Sequence, residues 1–269
     1  MANRLHSNDN KLLTRIAQAW FGIAAIGMLA FIIFILGFYG VRILSGNIAG
    51  WNDKQLITGY IAGDVLGNLM LGIHVLFAAV VTLCGLIQLL PSIRQKYPRI
   101  HHLSGRIFIA LAIILALGGL WLVWVRGTQL SLISAISVSG NALVILLCVG
   151  LSLRFAIQRK IDLHRRWALR AFLVVNGVWF FRVGIMGWVL LNQSPRGMNN
   201  TLSGPADIAL GFGSYLIPLA GLEAYFWAQR QTCRIRQRTV AVLLILLTLF
   251  MAAGIAGAIM VMWLPPLLK

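Results

Sequence analysis

Seven long apolar runs divide this sequence, and Lys and Arg residues gather before the first run and at every second connection after it. The runs extend over about 16–44, 66–90, 104–125, 130–157, 167–191, 206–227 and 240–264. Each has roughly 20 residues or more, which lets an α-helix rising about 1.5 Å per residue cross about 30 Å of hydrocarbon. The pattern predicts an all-α fold, a polytopic transmembrane helical bundle of about seven spans.

The distribution of basic residues predicts how these helices are oriented. Seventeen of the 23 Lys and Arg residues lie at the N-terminus, or within the second-to-third, fourth-to-fifth and sixth-to-seventh connections and the run ends that flank them. One more, Arg182, lies inside a run, and the five on the opposite side are Arg42, Lys54, Arg126, Arg196 and Lys269. Because basic residues are retained on the cytoplasmic side, we expect a cytoplasmic N-terminus and a C-terminus outside.

A net charge of +17 would suggest a soluble protein that binds nucleic acid, but the composition argues against that class. With 59% hydrophobic and only 11% charged residues, the chain cannot cover the surface of a soluble domain with polar groups. Its basic residues lie in short connections, where they are typical of orientation signals and contacts with anionic lipid headgroups. We therefore expect one integral membrane domain over residues 1–269, in contact with the phospholipid bilayer and without a nucleic-acid partner.

Ionisable side chains inside the apolar runs are candidates for a functional site, because they are costly to place in hydrocarbon. His74 and Arg182 both lie in the outer half of their runs, and Asn141 reaches a similar depth. Asp64 and Asp207 lie closer to the outer surface. We expect an outer polar pocket containing His74 and Arg182. The alternative is that Arg182 extends to the outer headgroups and His74 bonds a helix carbonyl.

A second polar group opens the third and fifth runs at the cytoplasmic end, and its members are His101, His102, Arg106, His164, Arg165, Arg166 and Arg170. Glu223 is the only acidic residue deep in a run, and we expect it to pair with Arg170 or a histidine. If that pair is buried, Glu223→Gln should destabilise the fold by leaving a charge unpaired. The alternative is a structural salt bridge together with contacts to lipid phosphate.

The histidines are also candidate cofactor ligands. His102 and His164 lie at similar depth on different helices, an arrangement that permits a clamp on haem b. His74 has no second histidine at its depth, so Met70 or Met186 would have to complete a site there, or the site would be five-coordinate. A two-haem arrangement is not supported. HExxH, a nucleophile elbow, a P-loop and a dinucleotide fingerprint are all absent from the sequence.

The stretches GIHVLFAAVVTLCGLIQLLPSIRQKYPRIHHLSGRI and IDLHRRWALRAF resemble the bacterial family of predicted multi-pass membrane proteins known as domain of unknown function 2306. The family pattern is a His, then Gln and Pro at the end of the same helix, then His-x-x-Gly-Arg and His-Arg-x-Trp-x-x-Arg. The matching residues are His74, Gln88, Pro91, His102, Gly105, Arg106, His164, Arg165, Trp167 and Arg170. The resemblance covers about residues 66–190 and implies a multi-pass protein of the bacterial inner membrane.

Two hypotheses for function follow from the polar residues, and neither assigns an enzymatic reaction. The first is a redox membrane protein that binds haem b or quinone through His74, His102, His164, Arg106, Arg170 and Arg182, since Arg suits the carboxylates of haem propionates. The second is a non-enzymatic protein, either an accessory subunit of a membrane complex or a protein that binds or transports an anionic lipid or a small anion.

Overall fold

The computed structural model describes residues 2–53 and 59–268, with side chains from residue 11 onward. Regular secondary structure in this part of the chain is helical, which confirms the all-α prediction. The α-helices are α1 (Ala2–Ile35), α2 (Val41–Leu44), α3 (Val65–Leu89), α4 (Pro91–Lys96), α5 (Pro98–Trp124), α6 (Leu132–Ile157), α7 (Ile161–Val175), α8 (Gly177–Asn192), α9 (Pro205–Ala228) and α10 (Arg234–Gly257). Lys54 and Lys269, which entered the orientation argument, lie outside the described residues, as does the side chain of Arg4.

Within the residues that the structure describes, six continuous helical rods are long and apolar enough to cross a membrane, and the bent pair α7 and α8 makes a seventh when taken as one span. π-helical turns at Leu36–Gly40 and Ala258–Trp263 extend the first and last rods. The six rods cover Lys11–Leu44, Val65–Leu89, Pro98–Trp124, Leu132–Ile157, Pro205–Ala228 and Arg234–Leu267. Each predicted run coincides with one of these segments, which confirms a multi-pass bundle of six to seven spans, whereas its orientation stays a prediction.

The fifth span is broken, and the prediction of one continuous run over 167–191 is wrong in this respect. Helices α7 and α8 meet at an angle of 56° at Asn176, whose side chain is buried. Its Nδ2 donates to the carbonyl of Phe172 (2.8 Å) and its Oδ1 accepts from Thr82 Oγ1 (3.1 Å). An Asn side chain that bonds the backbone in this way competes with the helical hydrogen bonds, so the helix ends where α3 packs against it.

The helices pack against one another to form the bundle. The glycine-rich last span makes its close contacts within this bundle. Helix α1 packs against α3 and α10, α5 packs against α3 and α6, and α9 packs against α6, α7 and α8. A methyl group added at Gly254 would meet the backbone carbonyl of Val183, and one at Gly257 would meet Met186 and Leu190. These glycines therefore allow α10 to approach α8 closely, within the bundle.

Candidate functional site

The basic stretches of the sequence lie together at one end of the bundle. Leu13 and Ile16 of α1 share a buried apolar cluster with Ala228 of α9 and with Val240 and Ala241 of α10. The first turns of α5 and α7 and the helix α4 reach the same end, because successive spans alternate in direction. We call this end, formed by α4, by the beginnings of α1, α5, α7 and α10 and by the last turns of α6 and α9, the basic face.

The structure brings Arg170 and Glu223 together at the basic face. Arg170 Nε donates to Glu223 Oε1 at 2.7 Å, and the guanidinium carbon of Arg170 lies 4.6 Å from the centroid of the Trp167 ring. The guanidinium carbon of Arg166, one turn earlier on α7, lies 5.3 Å from the Phe226 ring centroid. Both arginines are thus oriented by aromatic rings, as expected for guanidinium groups stacked on aromatic faces.

Replacing Glu223 by Gln is expected to lower the free energy of unfolding by about 1 kcal/mol or less, as for other exposed ion pairs. The reason is that the Glu223 side chain is 51% exposed, so water or lipid headgroups can solvate Arg170 once the carboxylate is gone. The larger loss was expected only if the pair is buried, and the exposed Glu223 side chain does not meet that condition. Thermal unfolding in detergent measures the effect, and a loss of several kcal/mol would contradict it.

The histidines of the basic face do not all point in one direction. His164 Nδ1 lies 2.9 Å from the carbonyl oxygen of Ser152, so it carries the proton, and Nε2 has no hydrogen-bond partner among the described residues. His101 is partly buried, its Nδ1 has no hydrogen-bond partner among the described residues, and it lies within electrostatic range of His102 and His164. His102 is exposed, with its ring centroid 6.0 Å from that of His101.

The haem clamp of His102 and His164 stays a prediction, and the exposure of the two neighbouring histidines bears on it. An axial ligand needs to face the inside of a closed pocket, and the exposed ring of His102 does not fit that role beside His164. His101 is a further candidate, because its Nδ1 is buried without a hydrogen-bond partner among the described residues. Ser152 would be the group that orients His164, in the way a carbonyl fixes the ring of a ligating histidine. Arg106 is exposed on the α5 surface.

Gln88, which the family pattern includes, joins α3 to α5. Its Nε2 donates to the carbonyl of His101 (2.6 Å) and to Ser104 Oγ (2.7 Å). A Cβ at Gly105 would lie 3.1 Å from Gln88 Oε1, so glycine gives the amide room at this crossing. Gln88 and Gly105 therefore position the histidine-bearing turn of α5, a structural role that the sequence alone did not assign.

In the half of the bundle away from the basic face, His74 and Arg182 face different neighbours. His74 faces α5, where a Cβ at Gly118 or Gly119 would lie 3.6 or 3.4 Å from its ring, and its Nδ1 is buried without a partner among the described residues. The guanidinium carbon of Arg182 lies 5.3 Å from the Phe31 ring centroid on α1. The structure therefore does not gather the two residues into the single pocket expected from the sequence.

The alternative for Arg182, in which its side chain extends to the outer headgroups, also differs from the structure. Arg182 Nη1 donates to the carbonyl of Val178 at 3.2 Å. Val178 lies one turn earlier, in the first turn of α8 and therefore next to the break in the span. The guanidinium thus leans along α8 toward the break at Asn176, away from the outer end, as helical side chains do when they lean toward the N-terminus of their helix.

An ion pair that sequence reasoning missed lies where the loop before α3 meets the end of α5. Arg126 Nε donates to Asp64 Oδ2 (2.8 Å), and its Nη2 donates to Asn68 Oδ1 (2.7 Å) and to the carbonyl of Gly59 (3.0 Å). The Arg126 side chain is only 2% exposed. Asp64 also caps α3 by accepting from Gly67 N at 2.9 Å.

The hydrogen bonds that Asp64 accepts explain why the pKa of its carboxyl group is lowered. The hydrogen bond from Arg126 holds the pKa of the Asp64 carboxyl below its usual value, and the backbone N–H of Gly67 lowers it further. A signal for the pair was present in the sequence, since Asp64 begins the second span and Arg126 follows the third, and the two spans are antiparallel neighbours.

The model of the family of predicted membrane proteins DUF2306 matches residues 71–204. The matched range contains most of α3, all of α4 to α8 and every residue of the His, Gln and Arg pattern described above. No curated protein and no solved structure matches the chain. The match and the apolar spans place the protein in a membrane as a multi-pass protein. The chain belongs to the DUF2306 family of predicted membrane proteins.

Proposed function

We propose that this protein resides in the cell membrane, the inner membrane of a bacterium, and that its basic face lies on the cytoplasmic side and binds a phosphate-bearing anion. The observation that carries the proposal is a charge imbalance. Seventeen Lys and Arg residues belong to the stretches at this end, against three acidic residues, Asp9, Asp162 and Glu223. Such an excess of positive charge at a membrane surface attracts anionic headgroups, by about 1 kcal/mol for each Lys or Arg.

Geometry at the basic face suits phosphate in particular. Arg166 and Arg170 lie one turn apart on α7, and each guanidinium stacks on an aromatic ring, which reduces the entropy lost when it binds a ligand. A planar guanidinium can donate two parallel hydrogen bonds to phosphate oxygens. Three long helices, α5, α7 and α10, begin at this face, and their N-terminal ends add partial positive charge.

The proposal is tested by measuring binding to detergent-purified protein with phosphatidylglycerol, phosphatidylcholine and inorganic phosphate as separate ligands. We expect phosphatidylglycerol to bind more tightly than phosphatidylcholine. Replacing Arg106 and Arg166 together by Gln should weaken the binding roughly 30-fold, from about 1 kcal/mol for each residue. Arg196→Gln, an exposed substitution at the opposite end, is the matched control and should leave binding unchanged.

The outcomes of this experiment distinguish a lipid ligand from a soluble phosphate compound, and two of them would overturn the proposal. Saturable binding of inorganic phosphate that is lost in the same double variant would identify a soluble phosphate compound as the source of the ligand. Equal binding of phosphatidylglycerol and phosphatidylcholine, with no binding of phosphate, would overturn the proposal. Equal loss in the Arg196→Gln control would also overturn it, because the effect would then reflect net charge rather than the basic face.

A redox protein that binds haem b or quinone is the second candidate, favoured by the histidines with a free ring nitrogen. His74 Nδ1 is buried without a partner among the described residues, and His164 keeps Nε2 free while Ser152 fixes its ring. A quinone carbonyl could accept from His74, and His101 and His164 could ligate a haem. A visible spectrum decides, since a Soret band that disappears in His164→Ala supports haem. If neither anion nor redox cofactor binds, an accessory role in a membrane complex is the remaining alternative.

A further inference from the structure

The guanidinium of Arg182 is a positive charge at membrane depth that no described carboxylate neutralises. Arg182 lies about 15 Å along α8 from the end of that helix at Asn192, at about 1.5 Å for each residue. Its Nη1 donates to the carbonyl of Val178 at 3.2 Å, toward the break in the span and away from the outer end. The side chain therefore holds its charge deep in the span and does not extend it to the outer headgroups.

The acidic side chains that the structure describes are all engaged or located elsewhere. They are Asp53, Asp64, Asp162, Asp207 and Glu223. Three of them pair with other arginines, Asp207 accepts from backbone N–H groups in the loop before α9, and Asp162 is exposed at the start of α7. The titratable group that acts electrostatically on Arg182 is Tyr39, and a tyrosine with its ordinary pKa of about 10 carries no charge at pH 7.

The unpaired charge of Arg182 specifies what can satisfy it. Hydrocarbon cannot solvate a cation, and ionisable side chains within membrane spans pair with one another or mark a binding site. The carbonyl of Val178 satisfies Nη1, whereas Nε and Nη2 have no hydrogen-bond partner among the described residues. These two nitrogens lie on one edge of the guanidinium, and together they can donate two parallel hydrogen bonds to an anion.

One side of α8 is open to a ligand at this position. Arg182 is partly exposed, and Val178 and Ile185, on the same side of the helix, are exposed and partly exposed. On the other side, Val183 and Gly187 are buried where α8 packs against α10. The guanidinium can therefore be reached from the open side of α8, although it lies deep in the span.

The groups around Arg182 favour a ligand with one negative charge and an apolar body. The ring centroid of Phe31 lies 5.3 Å from the guanidinium carbon, and the rings of Phe34 and Tyr39 continue this aromatic surface along the first rod. A single guanidinium neutralises a single charge, so a phosphate dianion would leave an excess of negative charge in an apolar setting. A carboxylate carries one charge, and its two oxygens match the planar guanidinium.

We infer that Arg182 binds the carboxylate of a hydrophobic monocarboxylic acid, of the fatty-acid class, through Nε and Nη2. The apolar chain of the acid would lie along the open side of α8, where Val178 and Ile185 are accessible. This site is separate from the proposed phosphate site at the basic face. Arg182 lies beyond the break in the fifth span, about 18 Å along α7 and α8 from Arg170, at about 1.5 Å for each residue.

Thermal unfolding of the full-length protein in a nonionic detergent tests the inference. The probes are sodium octanoate and octanol at matched concentrations and constant ionic strength, since octanol has the same chain length without the charge. We expect octanoate to raise the unfolding midpoint in a saturable way and octanol to leave it unchanged or lower it. Arg182→Gln should abolish the response to octanoate. Without ligand, this variant should unfold at no lower temperature than the unmodified protein, because it loses a charge that has no partner.

Two further variants make the result decisive. Arg182→Lys keeps the charge but cannot donate two parallel hydrogen bonds, so the half-saturating concentration of octanoate should rise roughly tenfold. If Arg182→Gln fails to fold, Arg182→Lys carries the test. Replacing Arg106 and Arg166 together by Gln should leave the octanoate response unchanged, which separates this inference from the proposed function. No response to octanoate, an equal response to octanol, or a response that is unchanged in both Arg182 variants would overturn the inference.

Discussion

Replacing Asp64 by Asn should lower the midpoint of thermal unfolding by roughly 5–10 °C, the scale expected when a buried arginine in a chain of this size loses its charged partner. Asn is as good a helix cap as Asp, so the hydrogen bond to Gly67 N can persist. Arg126, however, is only 2% exposed and would keep a positive charge with only the neutral acceptors Asn68 and Gly59. The loss therefore reports the charge of Asp64 rather than its capping role.

The pH dependence of the same pair has a definite sign. The pKa of Asp64 in the folded protein lies below its usual value because Arg126 donates to the carboxylate. A lowered pKa stabilises the fold at pH values above the ordinary carboxyl pKa, and the stabilisation is lost as pH falls through the lowered value. The difference in unfolding midpoint between the unmodified protein and Asp64→Asn should therefore shrink as pH falls from 6 to about 3.

Asp53→Asn is the matched control for this experiment. Asp53 also pairs with an arginine, Arg42, at 3.1 Å, but its side chain is 59% exposed. Exposed pairs of this kind contribute little, on the order of 0–1 kcal/mol, so the midpoint should change by no more than a few degrees. Equal effects of the two substitutions would show that the burial of Arg126 has no energetic consequence and would contradict the prediction.

The spans were predictable from the sequence because hydrocarbon imposes a minimum length and an apolar composition on every crossing helix. Composition alone could not show where a span is interrupted, because the interruption depends on side-chain hydrogen bonds. The break at Asn176 depends on bonds to Phe172 and to Thr82 of a neighbouring helix. A single polar residue in an apolar run carries no sign of whether it will bend its helix or bond elsewhere.

The depth of a residue along the membrane axis was also predictable. The direction in which its side chain points around the helix was not. Arg170 and Glu223 were placed at one depth and meet in the structure. His74 and Arg182 were likewise placed at one depth, yet they face α5 and α1. Counting residues from a helix end fixes height, but the facing neighbour depends on how the helices are arranged, and apolar runs without a polar face give little information about that arrangement.

Gly254→Ala is expected to destabilise the protein by about 3 kcal/mol, at the upper end of the usual cost of overpacking. The added methyl group would collide with the backbone carbonyl of Val183 on α8, and a backbone atom cannot move aside by changing a rotamer. Gly150→Ala is the control, since nothing lies within 4 Å of a Cβ there. That change should be neutral or stabilise by up to about 1 kcal/mol through helix propensity.

Second-site substitutions separate a backbone collision from a side-chain collision at the α8–α10 contact. A Cβ at Gly187 would lie 2.7 Å from the Phe250 ring, so Phe250→Leu should relieve much of the cost of Gly187→Ala. Val183→Ala should not relieve Gly254→Ala to the same extent, because the carbonyl of residue 183 remains. Full rescue of Gly254→Ala by Val183→Ala would place the clash in the Val183 side chain. The closeness of α8 and α10 would then depend on side-chain fit, and the backbones would retain room to separate.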